Sequence, residues 1–189
     1  MAQASTNELR PGYKVEVDGQ PYFVTGNEFV KPGKGQAFNR IRLKHLMTGR
    51  VIEKTFKSGE KLELADVLET DMRLLYTDQH GAVFMDDNTY EQVTIPFDNI
   101  GDNKRWLKED LVYDVIFYNG QPVTVDPPTF IEVKVTETSP GVRGDTASGR
   151  VMKPAIVETG AEVQVPIFVN EGEVVRIDTR NGEYDSRVS

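Results

Sequence analysis

The ten residues FVKPGKGQAF, positions 29–38, set one lysine, Lys34, between Gly33 and Gly35, with Lys31 and Pro32 just ahead of them. An amine in such a place has two chemical uses. As a nucleophile it forms a Schiff base, which calls for a desolvated pocket that lowers its pKa. As an ammonium it binds anions, and clustered Lys and Arg meet phosphate oxygens with affinity but without sequence reading. The surroundings favour the second use. Glycine on both sides makes a narrow tip, lets another backbone come close, and offers no apolar wall for a pocket. Pro32 fixes one backbone angle and restricts the unfolded loop. A nucleotide-binding P-loop is excluded, because Glu28 and Gly35 stand where that pattern needs glycine and Ser/Thr.

The stretch after the tip, QAFNRIRLKHL, extends the same chemistry. Side chains alternate across a strand, so Ile41 and Leu43 point one way while Arg40, Arg42 and Lys44 point the other. Residues 31–57 hold eight basic side chains and one acid, Glu53. The expectation is a cationic stripe with almost no compensating charge, leading up to an exposed lysine. Near the carboxyl end, Tyr184 and Arg187 suit RNA, one by stacking and the other by pairing with phosphate; a half-buried strand aromatic is an equal reading of Tyr184. GDTASGR, residues 144–150, is a small polar loop.

The remaining candidates are weaker as chemistry. His45 shares the parity of Ile41 and Leu43 and reads as a packed or rim residue. His80 reads as a turn residue. Two distant histidines and no cysteine do not make a metal-ligand set, and no cofactor is expected. Asp86 and Asp87 are adjacent, so their side chains diverge, which favours a solvated turn over an acid–base pair. Trp106 follows Lys104-Arg105, where it has the chemistry to stack on RNA, but a core anchor of the middle barrel is the expectation.

The elements that must carry these residues are short strands. YKVEVDGQPYFV reads as a hairpin about Asp18-Gly19, and VIFYNGQPVTV repeats it about Asn119-Gly120. FIEVKVTET, AEVQVPIFV and GEVVRIDTRNGEY alternate in the same way. Helical signal is confined to DNKRWLKEDL, while SGEKLELADVLE reads as a short turn or the approach to a strand. Many short strands between turn signals predict an all-β chain of small barrels. Charge and the stiff DPP at 126–128 divide the 189 residues into three modules, 1–66, 67–128 and 129–189, with net charges of +3, -8 and -3. The total of -8 therefore hides a basic lobe able to meet a polyanion. The N-terminal residues lack a signal-peptide run and no stretch is apolar enough to span a bilayer, so a cytoplasmic protein with no membrane partner is expected.

Taken together, these stretches resemble bacterial elongation factor P. FVKPGKGQAF matches that family's lysine-loop motif. KPAIVETGAEVQVPIFVNEG matches its carboxyl-terminal signature through Lys153, Ala155, Gly160, Val165 and Pro166. GDNKRWL, GDTASGR and TRNGEYDSRV also match, so the resemblance covers the whole chain.

The resemblance implies an SH3-like, KOW-type barrel followed by two OB-folds, in an L-shape that mimics tRNA. It implies a monomeric, non-enzymatic translation factor that binds both ribosomal subunits between the peptidyl and exit sites. There it would stabilise peptidyl-tRNA, stimulate peptide-bond formation and relieve stalling at consecutive prolines. Lys34 falls at the family's modified position, where a lysyl-tRNA-synthetase-like ligase attaches β-lysine and hydroxylation follows. Lys31, Pro32, Gly33, Lys34, Gly35, Arg40, Arg42 and Lys44 would then face tRNA and rRNA. Gly144, Asp145 and Thr146 would sense the exit-site codon, and Tyr184 and Arg187 would contact RNA near the small subunit. The competing reading, a generic OB-fold binder of single-stranded nucleic acid, needs aromatic platforms along basic grooves; the acidic middle module has few.

Overall fold

The computed structural model of the protein describes residues 2–141 and 151–188. Among the described residues sixteen strands form three sheets. The first contains β1 (Gln3–Ser5), β2 (Lys14–Val17), β3 (Gln20–Val30), β4 (Phe38–His45), β5 (Val51–Lys57) and β6 (Lys61–Leu64), in the order β1-β6-β2-β3-β4-β5. The second contains β7 (Val67–Thr77), β8 (Gly81–Met85), β9 (Gln92–Pro96), β10 (Val112–Tyr118) and β11 (Gln121–Asp126), in the order β11-β10-β7-β8-β9. The third contains β12 (Phe130–Thr138), β13 (Met152–Val157), β14 (Glu162–Pro166), β15 (Val174–Asp178) and β16 (Glu183–Arg187), in the order β14-β13-β12-β15-β16. The outermost strands of this last row, β14 and β16, pack against each other, so the sheet curls towards a barrel. Strand dominates the described residues, as the alternation predicts.

By compactness the chain forms two units, Met1–Glu69 with Ile116–Thr124, and Thr70–Val115 with Val125–Ser189. In the first, alternation puts Val15, Val17, Val24, Ile41, Leu43 and Phe56 in one core. Each large aliphatic side chain buried this way contributes about 1.5–3 kcal/mol. The turn at Asp18-Gly19 has φ of 52° and 74°, and that at Asn119-Gly120 has 50° and 80°. Two successive positive φ values match the twist of a two-residue hairpin and select Asx-Gly.

In the second unit, Phe84 and Tyr113 pack edge to face with centroids 5.6 Å apart. Helix among the described residues is brief: α1 (Phe97–Ile100), then a 3-10 segment, Gly101–Trp106. Helix therefore starts earlier than DNKRWLKEDL suggests and ends at Leu107, whose backbone is extended. SGEKLELADVLE is strand, as β6 and the start of β7. Trp106 corrects an expectation. It is 1% exposed, but it packs with Ile131, Val133, Val163 and Ile177 of the third sheet rather than anchoring a core of the middle barrel alone. The Tyr113 hydroxyl holds it there, donating to the Trp106 carbonyl at 2.6 Å and accepting the Lys108 amide at 2.8 Å. Burial pushes that phenol up to about 12.

Candidate nucleic-acid interface

The lysine tip is the end of a long hairpin. β3 and β4 pair from Tyr22↔His45 out to Val30↔Phe38, with an irregularity between Val24 and Gly26. Residues 31–37 close the loop. Lys31, Lys34 and Gly35 are exposed and Pro32 is half-buried. Neither Lys31 nor Lys34 makes an ion pair or side-chain hydrogen bond among the described residues. The two glycines differ. Gly35 has φ of 110°, which a side chain would strain. Gly33 lies outside that region, and a Cβ there would meet nothing within 4 Å. The hairpin's own geometry thus requires glycine at 35 and leaves room for a side chain at 33.

The stripe behind the tip is oriented as the alternation predicts, with Ile41 and Leu43 buried and Arg40, Arg42 and Lys44 exposed. Its charge is not free, which corrects the sequence reading. Arg40 lies 3.5 Å from Glu28 and 3.6 Å from Glu53, and Arg42 lies 3.8 Å from Glu53. Antiparallel pairing of three strands brings these acids onto the arginine face: Arg40 stands opposite Glu28, and Arg42 opposite Glu53. Such exposed pairs contribute about 0–1 kcal/mol each, so they compensate charge more than they stabilise. Lys44 makes no ion pair among the described residues.

The half of the hairpin nearer the tip holds a polar network that sequence reasoning missed. Asn27 donates through Nδ2 to the carbonyls of Thr6 and Leu9 at 2.7 and 2.9 Å. Asn39 donates to Asn27 Oδ1 at 3.0 Å and accepts from the Thr6 hydroxyl at 3.4 Å. The signal was parity: Asn39 shares the inward face of Ile41 and Leu43, and a buried amide must find partners.

In the second unit, Tyr184 is half-buried against the core that holds Trp106, and burial raises its phenol pKa. Arg187 pairs with Glu173 and lies 5.3 Å over the Phe168 ring. Gly144, Asp145 and Thr146 lie outside the described residues. The carboxyl-terminal signature is structural: Lys153 pairs with Val165 and Met152 with Pro166 across β13–β14, and Gly160 turns with φ of 87°. The buried Lys153 amine donates to the Ser139 carbonyl.

The other candidates resolve into structural roles. His45 packs edge to face on Tyr22 at 5.1 Å and accepts the Met47 and Thr48 amides. The His80 amide donates to Asp78 in a bend. Asp86 accepts the Asn88 and Thr89 amides, while Asp87 takes two hydrogen bonds from Arg73, which lower its pKa. Among the described residues no group of three or more His, Asp or Glu is placed to hold a metal ion, and no helix is long and apolar enough to cross a membrane.

Comparison with known proteins agrees with this architecture. Residues 5–62 match the family described as the Elongation factor P (EF-P) KOW-like domain, 67–125 the Elongation factor P (EF-P) OB domain, and 131–187 Elongation factor P, C-terminal. The chain is 66% identical over 189 residues to Elongation factor P 2 of Protochlamydia amoebophila, and 62% identical to that of Chlamydia muridarum, covering 100% of each. Among solved structures, the eukaryotic translation initiation factor 5A from Methanococcus jannaschii shares its fold, with a TM-score of 0.53 at 24% identity. That match covers 64% of this chain and 89% of the other. An eif-5a family protein from Naegleria fowleri aligns with a TM-score of 0.55 at 14% identity, over 66% and 95%. With every sheet accounted for by a family domain and full-length relatives above 60% identity, the chain belongs to the elongation factor P family of translation elongation factors.

Proposed function

We propose that this protein binds the ribosome between the peptidyl and exit sites and uses Lys34, extended by β-lysylation and then hydroxylation, to steady the acceptor end of peptidyl-tRNA. Its effect is to speed peptide-bond formation where consecutive prolines stall it. Proline's ring restricts its geometry as a nucleophile, and reaction needs both partners in near-attack positions. A cationic arm on backbone oxygens limits the disorder of one partner, and the ribosome performs the chemistry. The protein itself is not an enzyme in this reading.

One observation carries it: Lys34 has no partner among the described residues and stands at the tip of the β3–β4 hairpin, beside Gly33, whose missing side chain the hairpin does not itself demand. A glycine with open space around it suits the close approach of a partner. A Schiff-base role lacks support, since an exposed amine is not desolvated. The reading extends to Lys31, Pro32, Gly35, Arg40, Arg42 and Lys44 as tRNA and rRNA contacts. It also takes Gly144, Asp145 and Thr146 as the exit-codon loop and Tyr184 and Arg187 as carboxyl-terminal contacts. Three domains, 1–66, 67–128 and 129–189, a monomeric state, a cytoplasmic setting and a lysyl-tRNA-synthetase-like ligase complete it. Intact mass of protein from its native host tests the modification. A lysyl-sized adduct on the loop peptide supports the reading, and an unmodified loop in fully active protein contradicts it.

A further inference from the structure

The β3–β4 hairpin has two faces, and they differ in what they leave unsatisfied. On the outer face Arg40 and Arg42 already meet Glu28 and Glu53. On the other, the inward row of Asn27 and Asn39 leads out to Phe29, which is 56% exposed. Beside it lies an open groove of about 430 Å3, lined by Leu9, Arg10, Pro11, Phe29 and three asparagines, Asn7, Asn27 and Asn39. The Asn27 amide is spent on the protein, since both its Nδ2 hydrogens go to carbonyls and its oxygen accepts from Asn39, and the Asn7 oxygen accepts the Ser58 hydroxyl. They fix the groove rather than read a ligand. Recognition falls to the Phe29 ring and to Arg10, whose guanidinium has no ion pair or hydrogen bond among the described residues. Glu8, the acid nearest Arg10 in sequence, accepts the Ser5 amide.

We propose that this groove takes an unpaired nucleobase of the ribosomal complex, stacked on Phe29 with an adjoining phosphate on Arg10. The inference rests on the reading of Lys34 as an arm that enters RNA. A flat aromatic face beside an unpaired guanidinium is how single-stranded RNA is held. Charge favours this occupant over an apolar protein segment. Lys31 and Lys34 follow Phe29 within five residues, and both are unpaired among the described residues.

The test uses full-length protein from its native host and ribosomes carrying peptidyl-tRNA. Four variants are compared: Phe29→Ala, Phe29→Leu, Phe29→Trp and Arg10→Gln. Alanine and leucine at 29 are expected to weaken association about ten-fold, while tryptophan retains it. Arg10→Gln is expected to lower the slope of log affinity against log salt by about one. Ultraviolet cross-linking should place a nucleotide adduct on the peptide containing residue 29. Melting temperatures should match the parent, since Phe29 is mostly outside the core. The proposal is overturned if Phe29→Ala binds like the parent, if leucine serves as well as phenylalanine, or if adducts form only elsewhere in the chain. If the groove reading alone fails, the parent still binds and relieves stalling and the Phe29 variants match it. If the parent itself fails to bind ribosomes, the functional reading falls with it.

Discussion

Lys34 and Arg40 carry the same charge but are placed to use it differently. The lysine has no partner among the described residues, whereas the arginine sits between Glu28 and Glu53. An arginine held by two carboxylates releases fewer counterions from RNA than a free one. Glu53→Gln should therefore tighten ribosome association at low salt and steepen its salt dependence. Folding stability should change by less than about 1 kcal/mol, as for any exposed pair. A salt titration of binding reads this directly; a slope equal to the parent's would mean that Arg40 and Arg42 do not meet phosphate.

At the scale of elements, the hairpin arm depends on the Asn27–Asn39–Thr6 network. Asn39→Leu leaves the Asn27 side-chain oxygen short of its donor, while the Thr6 hydroxyl keeps the Lys57 carbonyl and the Gly59 amide, at a cost of about 1–3 kcal/mol. Denaturant unfolding should show that loss, and an unchanged midpoint would mean that the amides contribute nothing net. Alternation around Ile41 and Leu43 was legible in the sequence because a strand has period two, and both Asx-Gly turns were legible because few other residues accept two positive φ values. The acids facing Arg40 and Arg42 were not legible. They come from neighbouring strands: Glu28 is placed by a β3–β4 register that shifts at Val24–Gly26, Glu53 by pairing with β5, and local pattern encodes neither. Trp106 was read as core correctly but assigned too narrowly, since the neighbours that bury it lie far along the chain. Its support gives a pH signature. The unfolded chain loses the Tyr113 proton near pH 10, while the folded protein keeps it to about 12. Stability should thus fall between those values, by roughly 1.4 kcal/mol per pH unit at most. Tyr113→Phe should be less stable at neutral pH, because the Lys108 amide loses its acceptor, and should lack this alkaline decline. Melting curves from pH 8 to 12 decide it.

At the scale of the whole molecule, charge is segregated along the chain. Residues 1–66 carry a net +3 and residues 67–128 a net -8. A chain acidic overall resists indiscriminate binding to RNA while one segment keeps a positive local field. Replacing exposed Asp98, Asp102 and Glu109 by lysine should raise retention on random RNA at low salt without improving relief of proline stalls. Equal retention would show that the acids have no such role.

The most direct measurement is the rate of peptide-bond formation through a run of prolines in a reconstituted translation system. It would compare protein from the native host with its Lys34→Ala variant. The variant should melt within about 0.5 kcal/mol of the parent, because an exposed tip contributes little packing, and should lose the acceleration. Retained acceleration, or a large drop in melting temperature, would contradict the account.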